Sequence, residues 1–137
     1  MASVTRDTTQ GVSGDTISID NCPQLTGTAA VAIAAGDFVQ IDNTATPFGA
    51  RQTDATSANA KVAGIVLAKA AVGNPVTVFG KGAKCHYAPP GTLTPGALLY
   101  LDVTANAGGL STTTTTGDAV GVARAISDQD IQVIRDY

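Results

Sequence analysis

The chain has 137 residues and a mass of 13.7 kDa, which suggests one domain able to bury roughly two-thirds of its unfolded surface. Charged residues make up 14% and hydrophobic ones 44%, too apolar a balance for disorder throughout, and no apolar run approaches the roughly 20 residues that span a bilayer. A net charge of −3, a pI near 4.7 and the lack of a basic cluster argue against a nucleic-acid partner, and the lack of a spanning apolar run against a membrane one.

All eleven acidic residues are Asp and none is Glu, while Ala, Thr, Val and Gly abound. The best charged helix former is missing and strand and turn formers are plentiful, so the composition predicts an all-β fold.

In chain order, residues 1–28 are rich in Thr, Ser, Gly and Asp, with spaced apolar side chains at Val4, Val12, Ile17, Ile19 and Leu25. They read as an extended N-terminal arm with one short strand over 16–19, either docked or frayed. The polar start, with Arg6 and Asp7, lacks the apolar stretch of a secretory signal, so the chain is expected to be made in a cytoplasm. Residues 29–137 then form a single β domain.

From residue 29 onward a loose unit recurs, in which a Gly-based turn precedes an apolar strand. It predicts strands over 38–41, 76–79, 98–101 and 119–123. Further strands are expected over 29–33, 61–67, 83–87, 110–113 and 131–135, in all about ten short strands in a small barrel or sandwich. Residues 62–67 are nearly continuous in apolar character, as suits a strand covered on both faces.

Residues 43–60 form a long polar stretch broken by Pro47 and Gly49. Its one large apolar residue, Phe48, either pins the loop to the domain or meets a partner, and Arg51 is its only basic residue. The five threonines 112–116 favour extended backbone with hydroxyls on both faces, which places them at an edge or on a sheet exposed on both sides.

Motifs with chemistry are scarce. Cys22 and Cys85 lie 63 positions apart with no CxxC spacing, a pattern expected of thiols in a reducing compartment rather than of a disulfide. His86 is the single histidine, so any Ser, Cys or Thr nucleophile must use it as base, and no GxSxG is present. On a strand, Cys85 and His86 face opposite ways and cannot share a metal ion. The segment Gly80-Lys81-Gly82 resembles a phosphate loop only superficially, since it joins two predicted strands and reads as a hairpin connection. The residues therefore predict no catalytic, metal or cofactor site.

Four segments in order carry a resemblance. They are Val62-Ala63-Gly64-Ile65-Val66-Leu67-Ala68; Gly73-Asn74-Pro75-Val76-Thr77-Val78; Pro95-Gly96-Ala97-Leu98-Leu99-Tyr100; and Gly117-Asp118-Ala119-Val120-Gly121-Val122-Ala123. Together they resemble the small capsid decoration, or cement, proteins of tailed bacteriophages. The resemblance implies a non-enzymatic virion protein, commonly a homotrimer, that binds the major capsid protein on the outer surface of the head and needs no cofactor. The N-terminal arm then becomes the candidate for strand addition to the capsid. Val4, Thr5, Arg6, Val12, Ile17 and Ile19, with Phe48 and Arg51 of the long loop, are the candidate capsid-binding residues.

Two other classes stay open: a fibre-associated β domain that binds carbohydrate, and a carrier domain modified at Lys69 or Lys81. The first needs exposed aromatics, and the chain has no Trp, three Tyr and three Phe. The second needs the flanking residues of a modified lysine, and neither site has the Met those families place there.

Overall fold

The computed structural model describes residues 3–6, 22–42, 48–56 and 61–135, and residues 16–18 by their backbone. Among them are eleven strands: β1 (Thr16–Ser18), β2 (Gln24–Ala29), β3 (Phe38–Asp42), β4 (Gly49–Gln52), β5 (Gly64–Val66), β6 (Pro75–Phe79), β7 (Lys84–His86), β8 (Leu98–Leu101), β9 (Leu110–Ser111), β10 (Ala123–Ala125) and β11 (Asp130–Val133). A single 3₁₀ turn, Thr104–Asn106, is the helical element of the described residues. The fold is all-β, as the absence of Glu and the wealth of Val and Thr predict.

The strands form two units. β2, β4, β3, β5 and β6 close into a barrel in that order, and β1, β7, β11, β10, β8 and β9 form a six-stranded sheet. Within the barrel β2 and β4 run parallel, while the other neighbours are antiparallel. Closure removes free edges from a unit whose strands have three to six residues. Small inward side chains, Ala29, Val39, Ala50, Val66, Val76 and Val78, fill it with Ile33. A second cluster, with Tyr87, Leu99, Leu101, Leu110, Ile131 and Val133, packs under the sheet and also takes in Phe38 and Ile65 of the barrel, so one continuous set of contacts joins the two units.

Several predicted elements are displaced. The boundary between residues 28 and 29 falls inside β2, whose first residues pair with β6 from Gln24↔Phe79 to Thr28↔Pro75. The expected strand over 29–33 ends at Ala29, and only Ile33 forms an isolated bridge, to Ala70. What makes Gln24–Ala29 a strand is tertiary. A Cβ on Gly27 would lie 2.6 Å from the Phe48 carbonyl and 2.8 Å from its ring, so glycine admits that neighbour.

The polar stretch 43–60 contains β4, which turns Ala50 inward and Arg51 outward and pairs with both β3 and β2. The strand expected over 119–123 is instead β10, because Asp118 gathers the N–H groups of Val120 and Gly121 into a turn before it. Gly80-Lys81-Gly82 is not a hairpin: it carries the chain from β6 of the barrel to β7 of the sheet. The threonine run follows the two-residue β9 as an exposed bend, held by the Thr115 hydroxyl donating to the Leu101 carbonyl at 2.8 Å.

Candidate interaction surfaces

The first turn of chain is built into the core. Val4 is buried among Phe38, Tyr87 and Leu110, and its N–H donates to the Leu110 carbonyl at 2.9 Å. Ser3 bridges Ser111, and its hydroxyl donates to Asp102 at 2.6 Å. Residues 3–6 thus continue the sheet beyond β9. Thr5 between them is exposed, as alternation along an edge strand demands.

Arg6 reaches further in. Its Nη1 lies 2.5 Å from Asp37 Oδ1, and its guanidinium carbon stands 5.9 Å from the centre of the Tyr87 ring. Asp37, at 1% exposure, also accepts from the Ala34 N–H at 2.9 Å and from Gln52 Nε2 at 2.8 Å. Burial works against the Arg6 charge, but Tyr87 and Asp37 outweigh it and hold the pKa above the ordinary arginine value. Burial pushes the Tyr87 hydroxyl up to about 12, with Arg6 partly opposing. This is a fixed ion pair, not a reactive centre. Val4 and Arg6, expected on an arm offered to a partner, are therefore held inside this chain.

Of the other arm residues, Ile17 lies in β1, which pairs with β7, and Val12 and Ile19 fall outside the described residues. Phe48 is half-buried against the barrel core, filling the space above Gly27, so it pins its segment to the domain. Arg51 is exposed on β4 and pairs with Asp42 at 2.6 Å.

Among the described residues, Val72 and Val120 are exposed apolar side chains elsewhere, and one open surface lies at the barrel mouth. A groove of about 540 Å³ there is lined by Pro23, Leu25, Gln40, Ile41, Val62 and Val78, among others. Leu25 is 43% and Ile41 55% exposed, although both lie on strands. Arg51 sits beside this groove, since its register partner is Gln40. The sequence places Leu25 in the arm and Ile41 at the end of the strand expected over 38–41. The signal that would have found the groove is the closure of the barrel, which no local pattern carries.

The residues with chemical potential do not converge. Cys85 is fully buried, and desolvation, with a smaller contribution from Asp130, pushes its thiol up to about 12. His86 points the other way, with Nδ1 3.2 Å from Asp130 Oδ1 across the β7–β11 pair. Neither cysteine is in a disulfide. Among the described residues no group of three His, Cys, Asp or Glu could hold a metal ion, and no helix is long and apolar enough to cross a membrane. Lys69 adjoins the isolated bridge at Ala70, and Lys81 lies in the turn between β6 and β7.

No family model and no curated protein matches the chain.

Proposed function

We propose that this protein is a non-enzymatic capsid decoration protein that, as a homotrimer, binds the major capsid protein on the outside of a phage head and strengthens contacts between capsid subunits. The observation that carries the reading is the ordered series of four segments between residues 62 and 123 that resembles the cement family. Its compatibility with the fold is close. The first segment contains β5 and the second the first four residues of β6, two of the strands that close the barrel; the third contains the first three residues of β8, and the last leads into β10.

The physical logic is additive. A small oligomer that bridges several capsid subunits adds contacts that must break together before a pressurised shell opens. With Val4 and Arg6 committed to this chain's own core, the contact is expected at the barrel mouth, where Leu25, Ile41 and Arg51 are exposed. The carbohydrate-binding alternative is disfavoured by the aromatics: among the described residues Phe38 and Tyr87 are buried and Phe48, Phe79 and Tyr100 half-buried, so none offers an open face for stacking on a sugar.

The test mixes purified protein with undecorated heads and images them. Stoichiometric decoration, and heads that survive heating better than bare ones, are expected. Leu25→Asp with Ile41→Asp should abolish decoration while the protein stays folded. Failure to bind any head would overturn the reading.

A further inference from the structure

The inner face of the barrel runs out into solvent at its mouth. Along β3, Val39 is buried in the barrel core, and Ile41, two residues on and therefore on the same face, is 55% exposed. Along β2, Leu25 stands opposite the buried Val78 and shares its face, yet is 43% exposed. Val62 and Val78 form the floor of the groove of about 540 Å³ between these two side chains. Apolar side chains that continue an interior without a cover specify an apolar occupant.

The main chain is unfinished at the same place. The ladder between β3 and β5 stops where the Ala63 N–H donates to the Val39 carbonyl at 2.7 Å, and it does not extend to Ile41. Ile41 turns its N–H and C=O towards that same edge, since residues two apart on a strand share an edge. An extended peptide can pair with such an edge, whereas a fatty acid or another apolar small molecule cannot.

Charge supplies the third requirement. Of the two cations at the groove, Arg51 is already held by Asp42 at 2.6 Å. Lys61 lines the groove, is exposed, and makes no hydrogen bond or ion pair among the described residues. A free ammonium beside an apolar groove favours a carboxylate on whatever fills it, and an occupant that excludes water strengthens the pair.

We propose that the groove receives an extended segment of the capsid protein, with an aliphatic side chain set between Leu25 and Ile41 and an Asp or Glu carboxylate paired with Lys61. The proposal rests on the capsid reading and names the chemistry of the contact made at its site.

The experiment decorates bare heads with the unmodified protein and treats them with a water-soluble carbodiimide. The reagent activates a carboxylate, the Lys61 amine attacks it to form an amide, and the reagent leaves as a urea, so only groups in contact are joined. Peptide mass mapping is expected to find Lys61 joined to an Asp or Glu of the capsid protein. Decorated heads without that amide, or with Lys61 joined only to this chain or to a second copy of it, would overturn the proposal and leave the capsid reading standing. Heads that take up no protein would overturn both. Lys61→Glu should weaken decoration about tenfold, and Lys61→Arg should preserve it. Both variants should melt with the unmodified protein, because the side chain is exposed and unpaired. A Lys61→Glu variant that decorates as tightly as the unmodified protein would equally overturn the proposal.

Discussion

The barrel and the six-stranded sheet bury apolar surface in different ways. The barrel is lined by Ala and Val with one Ile, has no buried charge in its cluster, and satisfies its strand edges by closing on itself. The sheet side packs large residues, among them Tyr87, Leu99, Leu101, Leu110 and Ile131, with the buried carboxylates of Asp102 and Asp118 beside them, while the buried Asp37 stands one residue before β3 and ties Arg6 to Gln52 of the barrel strand β4. A ring of five strands leaves an interior only small side chains fit, and its closure supplies the backbone partners. An open sheet has room for large side chains but leaves loop N–H groups and edges unsatisfied, and aspartates serve them. Asp118 accepts from the N–H groups of Leu101, Val120 and Gly121 and from Arg135.

If that contrast is right, the largest loss from a single change falls on a carboxylate of the sheet side. Asp118→Ala strips a fully buried ion pair of one partner and leaves Arg135 buried, which should cost about 3–5 kcal/mol in urea unfolding. Arg6→Ala should come next, at about 3 kcal/mol, because it leaves the Asp37 carboxylate buried without its cation. A loss below about 1 kcal/mol would mean that residues 3–6 are an ornament and not part of the core.

In the barrel, Val78→Ala removes two buried methyl equivalents and should cost about 2 kcal/mol, while Leu101→Ala on the sheet side should exceed it within the ~2–5 kcal/mol range for such truncations. Equal losses would erase the distinction between the two cores. Gly64→Ala probes closure itself. Gly64 has a φ of +154°, and a Cβ there would run into the Phe79 carbonyl, so ~1–3 kcal/mol should be lost through β5–β6 pairing.

Alkaline pH tests the sheet side alone. Cys85 and Tyr87 both hold their protons to about 12 when folded. The unfolded chain releases them at lower pH, so it binds fewer protons than the native state in that window. Their contribution is complete below the ordinary thiol value and is lost as pH rises towards about 12, so urea midpoints should fall over that interval. A Cys85→Ala, Tyr87→Phe double variant should show a flatter profile. The smallest effect is expected at Arg51, whose exposed pair with Asp42 should be worth under about 0.5 kcal/mol.

Much of the class of this protein is legible locally. Val76, Val78, Leu99, Leu101, Ile131 and Val133 alternate with polar or half-exposed neighbours and lie on β6, β8 and β11 close to where period-two reading puts them. Such strands announce themselves because one face is buried and the other wet. Phe48 pins its segment to the barrel, one of the two roles its isolation in a polar stretch suggests.

What the amino-acid order by itself determined is therefore the all-β character, the short strands and most of their positions, since these follow from side-chain shape and alternation within a few residues. Tertiary structure alone decided that Gln24–Ala29 and Gly49–Gln52 are strands, because their order depends on a parallel partner and on Phe48 crossing Gly27. It also decided that Val4 and Arg6 belong to the core, since the groups that receive them, Leu110, Asp37 and Tyr87, lie dozens of residues away. The same holds for the groove bearing Leu25 and Ile41. A closed barrel and a buried ion pair are relations between distant segments, and no local periodicity encodes which segments will meet.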